Sequence, residues 1–330
     1  MNLTRLPRFR LAQLPTPLHE LPRLTSALGG PRLWIKRDDQ TGLALGGSKA
    51  RKLEYLLGDA QSQQADTLVT LGAAQSNHCR QTAAAAACAG LRCELILNGK
   101  KPEVPNGNLL LDELLGATLH WIERSQRAAK SQELTEALRG AGRRPYFVPV
   151  GGSNAVGAVG YVAAMFELVE QLKTLPTLPD YLVVASSSGG TQAGMVVGAK
   201  ATGFTGQVLG ISIDRDLPDD GPYEEELAEL ANQTARRIGE STVFAAGDFS
   251  VVRGYMGGGY GVAGDLERNA IRTLASREGI LLDPVYAGRA FGAMLDLIAK
   301  GRFKSTDTVL FWHTGGTPAL FAYEKVLLAH

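Results

Sequence analysis

Residues 181–195 have the sequence YLVVASSSGGTQAGM, in which an apolar run gives way to serines and glycines before a helical pattern begins. The run 181–185 predicts a buried parallel strand. The hydroxyls and unobstructed backbone amides that follow it belong to Ser188, Gly189, Gly190 and Thr191. Such a loop at a helix start binds phosphate, and without a Walker-type lysine it suits a phosphorylated cofactor better than a nucleotide triphosphate. A flexible polar connection is the alternative interpretation.

The same alternation of apolar runs and helical patterns extends along most of the chain. Further apolar runs lie at 67–71, 93–97, 146–150, 208–211 and 309–312. Apolar residues recur between them at helical spacing, for example at Ala50, Leu53, Leu57 and Ala60. This alternation predicts an α/β, doubly wound architecture. Ligands bind beyond the carboxyl ends of the strands in such folds, so the loops after the apolar runs are the candidate sites.

The chain contains no linker rich in serine, glycine or proline that would separate two independent domains. We therefore expect one compact body with an internal division. We predict a small domain at 50–152, inserted into a large domain formed by 1–49 and 153–330.

Composition excludes several classes of partner. The 330 residues include 34 Lys+Arg and 33 Asp+Glu, and a net charge of +1 provides no field to attract nucleic acid or an anionic membrane. The three cysteines, Cys79, Cys88 and Cys93, lack the spacing of a disulfide framework or a zinc site, so we expect no metal and a reducing, cytoplasmic location. The N-terminus lacks the apolar stretch of a signal peptide, and we expect no membrane span.

The segment GGSKARKLEYL at 46–56 places two lysines at the start of an amphipathic helix. Ser48 is in position to cap this helix, and Lys49 lies in its first turn. The helix dipole and the neighbouring Lys52 both disfavour a charge on Lys49, and a neutral amine suits Schiff-base chemistry. Two solvated surface lysines are an equally good interpretation of this segment alone. A P-loop is excluded because Ala50, not Ser or Thr, follows the lysine.

A second loop, GAAQSNH at 72–78, follows an apolar run and opens an alanine-rich helix. The backbone amides at that helix start, with the side chains of Ser76 and Asn77, form a receptor for a carboxylate or an oxyanion. Both residues are also favoured helix caps, so a purely structural role is the alternative.

Three more residues follow glycines or apolar runs late in the chain. Tyr260 lies in the glycine-rich run 257–261, Tyr286 follows a strand predicted at 281–285, and Thr314 follows the run 309–312. Each tyrosine taken alone is more typical of packing than of catalysis. The segment GGSNA at 151–155 lacks the second glycine of a nucleophile elbow, and we interpret it as a backbone turn.

Taken together, five segments resemble the pyridoxal-phosphate enzymes of the D-cysteine desulfhydrase and aminocyclopropane-carboxylate deaminase family. They are GGSKARKLEYL, GAAQSNHCRQTAAAA, SSSGGTQAGM, LLDPVYAGRA and HTGGTPALFAY, and the resemblance runs from about Leu6 to Tyr323. It implies the tryptophan-synthase-β-like fold, fold type II, with large and small open parallel-sheet domains, the small one closing over the active site. It also implies a homodimer, pyridoxal 5'-phosphate as the cofactor and a small amino acid as the substrate.

The resemblance also implies roles for the cofactor-binding residues. Lys49 would form the Schiff base, and Lys52 would help to neutralise the phosphate. The loop from Ser188 to Thr191 matches the phosphate cup, and Asn77 matches the residue that bonds the ring hydroxyl. The family has Asn where this chain has Ser48, which we expect to change one local hydrogen bond.

The resemblance places the substrate among five residues. Ser76, Asn77 and His78 match the loop that binds the substrate carboxylate, while Tyr260 and Tyr286 match two tyrosines near the substrate. Lys49 would remove the Cα proton as general base, and either tyrosine would assist departure of the β-substituent. If that substituent were a sulfonate, an additional cation near it would be needed, and the sequence does not locate one.

Two positions separate branches of the family. The deaminases carry Glu and Leu where this chain has Ala287 and Thr314. A carboxylate would keep the pyridine nitrogen protonated, whereas the Thr314 hydroxyl would only hydrogen-bond it, and the weaker electron sink suits β-elimination. We therefore expect a carbon–sulfur lyase that converts D-cysteine to pyruvate, ammonia and hydrogen sulfide.

Several alternatives stay open at this point. An L-cysteate sulfo-lyase would release sulfite by the same chemistry, and an aminocyclopropane-carboxylate deaminase is less consistent with Ala287 and Thr314. The stereochemistry of the substrate is not fixed by the sequence. A nucleotide-binding protein, or a regulatory protein that binds the cofactor without turnover, is the alternative from another class.

Overall fold

The computed structural model describes residues 3–175, 177–216 and 221–329. Its strands form two sheets. The larger has six strands: β1 (Leu18–Glu20), β2 (Arg32–Arg37), β7 (Tyr181–Ser186), β8 (Gln207–Ser212), β9 (Ser250–Val252) and β10 (Thr308–His313). The smaller has four: β3 (Thr67–Ala73), β4 (Arg92–Asn98), β5 (Thr118–Ile122) and β6 (Pro145–Phe147).

The strand order confirms the predicted α/β architecture. It is β1-β2-β10-β7-β8-β9 in the larger sheet and β5-β4-β3-β6 in the smaller one. Within the described residues, all neighbouring strands are parallel except the antiparallel edge pair β1 and β2. Parallel strands need crossover connections, and helices supply them here.

The helices lie between or beyond these strands. They are α1 (Pro22–Leu28), α2 (Lys49–Ser62), α3 (Asn77–Ala89), α4 (Gly107–Leu114), α5 (Arg127–Gly140), α6 (Ala155–Leu172), α7 (Gly190–Thr202), α8 (Tyr223–Ile238), α9 (Asp265–Glu278), α10 (Ala287–Ala299) and α11 (Glu324–Leu328). The helix expected at 50–60 corresponds to α2.

Both faces of the larger sheet are buried, as its continuous apolar runs require. Successive side chains of β10 point to opposite faces. Val309 and Phe311 pack with α9 and α10 on one face. Leu310 and Trp312 pack with α6 and α7 on the other. A helix layer therefore covers each side of the sheet.

The smaller sheet has the same layered arrangement. Leu68 and Leu95 pack against α2 and α3, whereas Val69 and Ile96 pack on the opposite face against α5. All four strands lie within the predicted small domain at 50–152. Helix α2 contacts both the predicted small domain and the predicted large domain. Gly160 of α6 allows its close approach to the large one, because a Cβ at 160 would lie 2.3 Å from the Arg51 carbonyl oxygen.

Two predicted strands are shorter than expected or lack sheet pairing. The run 146–150 forms a strand only to Phe147, because Pro149 has no N–H to donate and a 3₁₀ turn, Val150–Gly152, follows with Gly151 at φ 65°. The segment 281–285 is not a strand. The position of Tyr286 therefore needs another explanation, which Asp283 provides below.

One helix contradicts the expectation that no segment has the apolar length of a membrane span. Helix α6 has 18 residues and a mean hydropathy of 1.3. Its residues Tyr161, Met165 and Leu168 are fully buried against the larger sheet. Core packing accounts for its apolar character.

Candidate active site

A cavity of about 290 Å³ lies where the carboxyl ends of strands from both sheets meet. The residues after β3, β4, β7 and β10 contribute to its wall. Most of the predicted site residues line it, namely Lys49, Ser76, Asn77, His78, Ser188, Gly189, Thr191, Tyr260, Tyr286 and Thr314. Lys52 and Gly190 are not part of the lining. Both hydrogen-bond Ser153, whose Oγ lies 2.8 Å from Oγ of the lining residue Ser188.

The start of α2 differs from the predicted cap. Ser48 has helical backbone angles, φ −57° and ψ −24°, and its side chain caps no amide. A capping serine needs an extended backbone, so the expected cap is wrong. Gln81 of α3 replaces it, since its Oε1 accepts from the Ala50 amide at 2.7 Å. The Ser48 hydroxyl instead accepts from Lys49 Nζ at 3.1 Å.

Lys49 has a lowered pKa. Burial lowers its pKa to about 8, with a further lowering from the Arg80 charge, while Asp283 raises it. The lowered pKa of Lys49 was predicted from the sequence, but as an effect of the helix dipole and of Lys52. Burial is the main cause, and a large share of the amine is neutral near pH 8.

The second loop combines the two roles that the sequence left open for Ser76. Its Oγ caps α3 by accepting from the Cys79 amide at 3.1 Å. Ser76 also lines the cavity, beside the first residues of α3. The helix start therefore presents its free backbone amides to the cavity while the serine holds the turn in place.

His78 is neutral, and its hydrogen bonds fix its tautomer. The Thr70 hydroxyl donates to the Val148 carbonyl at 2.7 Å. The hydroxyl has one proton, so His78 Nε2 must donate to Thr70 Oγ1 at 2.8 Å. His78 Nδ1 is then an acceptor, buried without a partner among the residues that the structure describes. Burial and the nearby Lys49 and Lys52 charges lower the His78 pKa to about 3, so the ring stays uncharged.

Asn77 takes its amide orientation from two residues that the sequence analysis missed. The Arg80 guanidinium can only donate, and its Nη1 lies 2.7 Å from Asn108 Oδ1. The Asn108 amide nitrogen therefore faces Asn77 and donates to its Oδ1 at 2.9 Å. This order of bonds leaves Asn77 Nδ2 as the donor available to a ligand. Arg80 and Asn108 are fully buried, so the orientation is fixed by the protein.

The predicted phosphate loop is organised around Ser153, which the sequence analysis assigned only to a turn. Ser153 Oγ lies 2.8 Å from Ser188 Oγ and accepts from the Gly190 amide at 3.1 Å. Glycine is required at 190, because a Cβ there would lie 2.6 Å from Ser153 Oγ. Gly189 has a φ of 81°, which favours glycine as well.

Lys52 provides the test of whether an anionic cofactor group fits. Its Nζ donates to the Gly151 carbonyl at 3.0 Å and to Ser153 Oγ at 3.3 Å. It is 1% exposed, and no carboxylate lies within ion-pair distance of it in the described part of the chain. Burial, with the Lys49 charge, lowers its pKa well below the usual range. A buried cation without a counter-ion, beside a donor-rich helix start, fits a phosphate group.

The two predicted tyrosines form a pair. Their hydroxyl oxygens are 2.6 Å apart, and Lys49 Nζ lies 5.9 Å from the centre of the Tyr286 ring. Asp283 positions Tyr286 by accepting from the backbone amides of Val285, Tyr286 and Ala287 at 3.0, 2.9 and 2.7 Å. Asp283 was missed as a site residue, although the pattern of Asp before a helix start could have indicated a cap.

Of the two positions that separate the family branches, Thr314 is part of the cavity lining and Ala287 is not. Thr314 lines the cavity, and its carbonyl oxygen accepts from the Ser48 amide at 2.8 Å. Ala287 is fully buried at the first residue of α10. The roles predicted for the individual site residues stay predictions, but the set that the structure brings together fits pyridoxal phosphate.

One part of the wall was not predicted. Arg124, Arg127 and Asn98 line the cavity from the side of the smaller sheet. Asn98 ends β4, and both arginines follow β5. The repeated arginine at three-residue spacing was the only signal in the sequence.

Comparisons with known proteins agree with this geometry. The family model described as "Pyridoxal-phosphate dependent enzyme" matches residues 9–315. The chain is 42% identical to a D-cysteine desulfhydrase of Klebsiella pneumoniae (strain 342), over 99% of both chains. It is 42% identical to a D-cysteine desulfhydrase of Salmonella typhi, over 98% of both.

Two solved structures are similar to the chain along its length. A crystal structure of an ACC deaminase homologue superimposes with a TM-score of 0.88 and 38% identity, covering 99% of this chain and 97% of that one. A pyridoxal 5'-phosphate-dependent aspartate racemase superimposes with a TM-score of 0.67, covering 95% and 93%. The racemase is 18% identical, so it is evidence for the fold alone.

Proposed function

The chain belongs to the family of pyridoxal-phosphate dependent enzymes, and from that premise we propose that it catalyses β-elimination from D-cysteine. The products are pyruvate, ammonia and hydrogen sulfide. The observation that carries the proposal is the full-length similarity to D-cysteine desulfhydrases, combined with a half-buried lysine of lowered pKa beside a tyrosine pair. When bound, pyridoxal phosphate supplies an electron sink for the charge that develops at Cα.

The cofactor would be held at both ends by residues of this chain. The Ser188–Thr191 loop and Lys52 would bind its phosphate, since they combine helix amides with a buried cation. Asn77 Nδ2 would donate to its ring oxygen, and the Thr314 hydroxyl would face its ring nitrogen. Lys49 would be the attachment point.

Lys49 would move the proton of the first chemical step. Its Nζ takes the proton from the substrate Cα, and a pKa of about 8 keeps enough of the amine neutral near neutral pH. Ser48 Oγ, at 3.1 Å, accepts from the Lys49 amine and holds its position. The free amides at the start of α3 bind the substrate carboxylate, and the uncharged His78 beside them leaves that helix start as the local source of positive potential.

The tyrosine pair would supply the proton for the leaving sulfur. Burial and Tyr260 raise the pKa of Tyr286 well above its usual range, so its hydroxyl stays protonated and can donate a hydrogen bond to the departing sulfur. The hydroxyl of Tyr260, a residue that is 38% exposed, lies 2.6 Å from the Tyr286 hydroxyl. The Cβ–S bond breaks with its electron pair on sulfur, which then takes the proton.

We also propose that the enzyme is a cytoplasmic homodimer. Free buried thiols at Cys79 and Cys93 are consistent with a reducing compartment. Light scattering on the purified holoenzyme would measure the mass of the particle against the 35.1 kDa of one chain. A particle of one chain mass would contradict the dimer.

A panel assay of keto-acid release tests the proposed reaction. D-cysteine, L-cysteine, β-chloro-D-alanine and aminocyclopropane carboxylate are supplied to the holoenzyme at equal concentrations. We expect pyruvate from D-cysteine and from β-chloro-D-alanine, which shares its configuration and has a better leaving group. Release of 2-oxobutyrate from the cyclopropane as the fastest reaction would replace the proposal with the deaminase, the activity named for the 38% identical structure.

A further inference from the structure

The segment that carries Tyr260 consists of turns. It lies between β9 and α9, and residues 253–264 are in neither a helix nor a strand. Gly259 and Gly261, on either side of the tyrosine, have φ values of 114° and 76°, which favour glycine. Glycines leave the backbone of such a segment many alternative conformations. Contacts from other elements are therefore needed to fix the position of Tyr260.

The guanidinium of Arg289 makes such contacts on both sides of Tyr260. Its Nη1 donates to the Gly259 carbonyl at 3.2 Å, and its Nη2 donates to the Val262 carbonyl at 2.7 Å. Nη1 also donates at 3.0 Å to the carbonyl of Ile213, the residue after β8. Because arginine carries five N–H donors in a rigid planar group, one side chain can hold three carbonyls at fixed relative positions.

A buried carboxylate holds the guanidinium in this orientation. Arg289 Nε donates to Glu267 Oε1 at 2.6 Å. The other oxygen, Glu267 Oε2, accepts from the Gly264 amide at 2.8 Å, at the start of α9. The side chains of Arg289 and Glu267 are 0% and 3% exposed. Each carboxylate oxygen has a donor and the two charges balance, so the pair is satisfied before any ligand binds.

The start of α10 thus positions both tyrosines of the pair. Tyr286 directly precedes this helix, and Asp283 fixes its backbone as described above. Arg289 lies in the first turn of the same helix and fixes the backbone on both sides of Tyr260. The 2.6 Å distance between the two hydroxyl oxygens therefore depends on Arg289 as well as on Asp283.

Contact between the hydroxyls affects what the pair can donate. Tyr260 and Tyr286 carry one hydroxyl proton each, and one of these protons lies between their oxygens. The other can face the cavity that both residues line, and its hydroxyl is the stronger donor because it accepts from its neighbour. Hydrosulfide is a stronger base than chloride, so its departure gains more from such a donor.

We propose that Arg289 is a positioning residue for β-elimination, which holds Tyr260 against Tyr286 and so sets how well the enzyme expels a basic leaving group. This role rests on the proposed reaction at Lys49. Loss of the Tyr260 position should slow elimination from D-cysteine more than elimination from β-chloro-D-alanine. A purely structural role of Arg289 would slow both reactions by the same factor.

Arg289→Lys tests the role without leaving Glu267 unpaired. Lysine keeps the positive charge, but its ammonium lacks the planar group that bonds the carbonyls of Gly259 and Val262 together. We expect kcat/KM of the holoenzyme for D-cysteine to fall at least about tenfold relative to that for β-chloro-D-alanine. Glu267→Asp keeps both charges and moves the carboxylate by one methylene, so it should change the ratio in the same direction if Arg289→Lys does not fold.

Arg272→Lys is the matched control. Arg272 is an exposed residue of α9 that also donates to two backbone carbonyls, those of Leu327 and Ala329. The substitution makes the same change of donor group away from the Tyr260 segment. The ratio of kcat/KM for the two substrates should equal that of the wild type.

A double-mutant cycle shows whether Arg289 acts through Tyr260. Tyr260→Phe should lower the ratio of kcat/KM for D-cysteine to that for β-chloro-D-alanine about as much as Arg289→Lys does. The double variant should show no further fall, because both substitutions remove the same contact. Equal losses for both substrates in Arg289→Lys, or losses that add in the double variant, would overturn the proposal.

Hydrogen exchange of the holoenzyme, followed by mass spectrometry, tests the position of the segment apart from turnover. We expect the amides of residues 253–264 to exchange faster in Arg289→Lys than in the wild type or in Arg272→Lys. Elimination from D-cysteine with wild-type exchange in Arg289→Lys would overturn the role of Arg289 and leave the proposed function standing. Faster exchange, with no elimination from either substrate by the wild type, would overturn the proposed function and leave Arg289 as the residue that fixes the segment.

Discussion

At the scale of single residues, the site depends on polar groups that the protein orients before any ligand binds. Arg80 can only donate, so it fixes Asn108, which in turn fixes the amide of Asn77. The pKa of Lys49 is lowered mainly by burial. Each of these states follows from contacts between residues distant in the sequence.

The orientation of Asn77 can be reversed by one isosteric substitution. Asn108→Asp presents only acceptors, so Asn77 must turn its amide nitrogen toward residue 108 and its oxygen toward the cofactor. We expect about a 10-fold to 100-fold weaker affinity for the cofactor and a shifted absorption maximum of the holoenzyme, because one hydrogen bond to a charged oxygen is lost. Titration of the apoenzyme followed by absorbance measures both.

Asn106→Asp is the control for this experiment, since it adds the same charge at an exposed position two residues away. It should leave the absorption maximum where it is. An unshifted spectrum in Asn108→Asp would show that residue 108 does not orient Asn77.

The lowered pKa of Lys49 predicts how cofactor attachment depends on pH. Attachment requires the neutral amine, so its rate constant in the apoenzyme should rise with pH and level off above a midpoint near 8. Stopped-flow absorbance after mixing with pyridoxal phosphate gives the rate. A midpoint near 10.5, the ordinary lysine value, would mean that burial does not act on Lys49 as described.

The sequence predicted the residues that stand directly after strands but missed those that support them. Lys49 follows the pair Gly46–Gly47, Asn77 opens a helix after the run 67–71, and Ser188 precedes the pair Gly189–Gly190, and all three are local patterns. Asn108 and Ser153 act through contacts 31 and 35 residues away, to Asn77 and Ser188, and no local pattern indicates such a partner. The same reason explains why the Gln81 cap of α2 replaced the expected Ser48 cap.

At the scale of elements, the start of α7 is positioned by the turn before α6. Ser153 of that turn bonds both Ser188 Oγ and the Gly190 amide, and Lys52 of α2 joins it. The phosphate site is therefore assembled from three elements, of which the sequence indicated two. The glycines in the sequence indicated where two backbone segments approach each other closely, but not which segment is the partner.

Gly190→Ala should separate these elements. The new Cβ would lie 2.6 Å from Ser153 Oγ and 2.9 Å from its Cα, so α7 must shift away from the turn. We expect the dissociation constant for pyridoxal phosphate, followed by fluorescence, to rise about tenfold or more, which corresponds to about 1.4 kcal/mol.

Gly247→Ala is the matched control, because its φ is not positive and a Cβ there would meet nothing within 4 Å. Its affinity should equal that of the wild type. Wild-type affinity in Gly190→Ala would show that the Ser153 contact is not needed to shape the cup.

At the scale of the whole molecule, both sheets contribute to the cavity. The stability of the protein depends on the cofactor, because the Lys52 charge beside the cavity has no counter-ion among the described residues without it. Lys52 is buried without a carboxylate partner in the described ranges, which costs stability until a phosphate binds. The fold class was predictable because alternation of apolar runs and helical patterns extends along the chain. The position of Arg124 and Arg127 was not, since they reach the cavity only where β4 and α5 come together.

Lys52→Met should therefore stabilise the apoenzyme and reduce the further stabilisation that the cofactor provides. Methionine has a similar length and no charge to bury, so the melting temperature of the apoenzyme should rise by a few degrees. The rise in melting temperature on adding pyridoxal phosphate should shrink, because ligand stabilisation depends on affinity. Differential scanning calorimetry measures both, and a lower melting temperature for the Lys52→Met apoenzyme would contradict the cost assigned to the buried charge.

We propose that Lys49 carries out β-elimination from D-cysteine in this cavity. The most direct measurement follows pyruvate and sulfide together from D-cysteine, for the wild type and for Lys49→Ala loaded with the cofactor. We expect equal amounts of pyruvate and sulfide from the wild type. In Lys49→Ala the rate of their release should fall at least about a thousandfold. Absence of pyruvate from the wild-type reaction, or comparable release by Lys49→Ala, would contradict it.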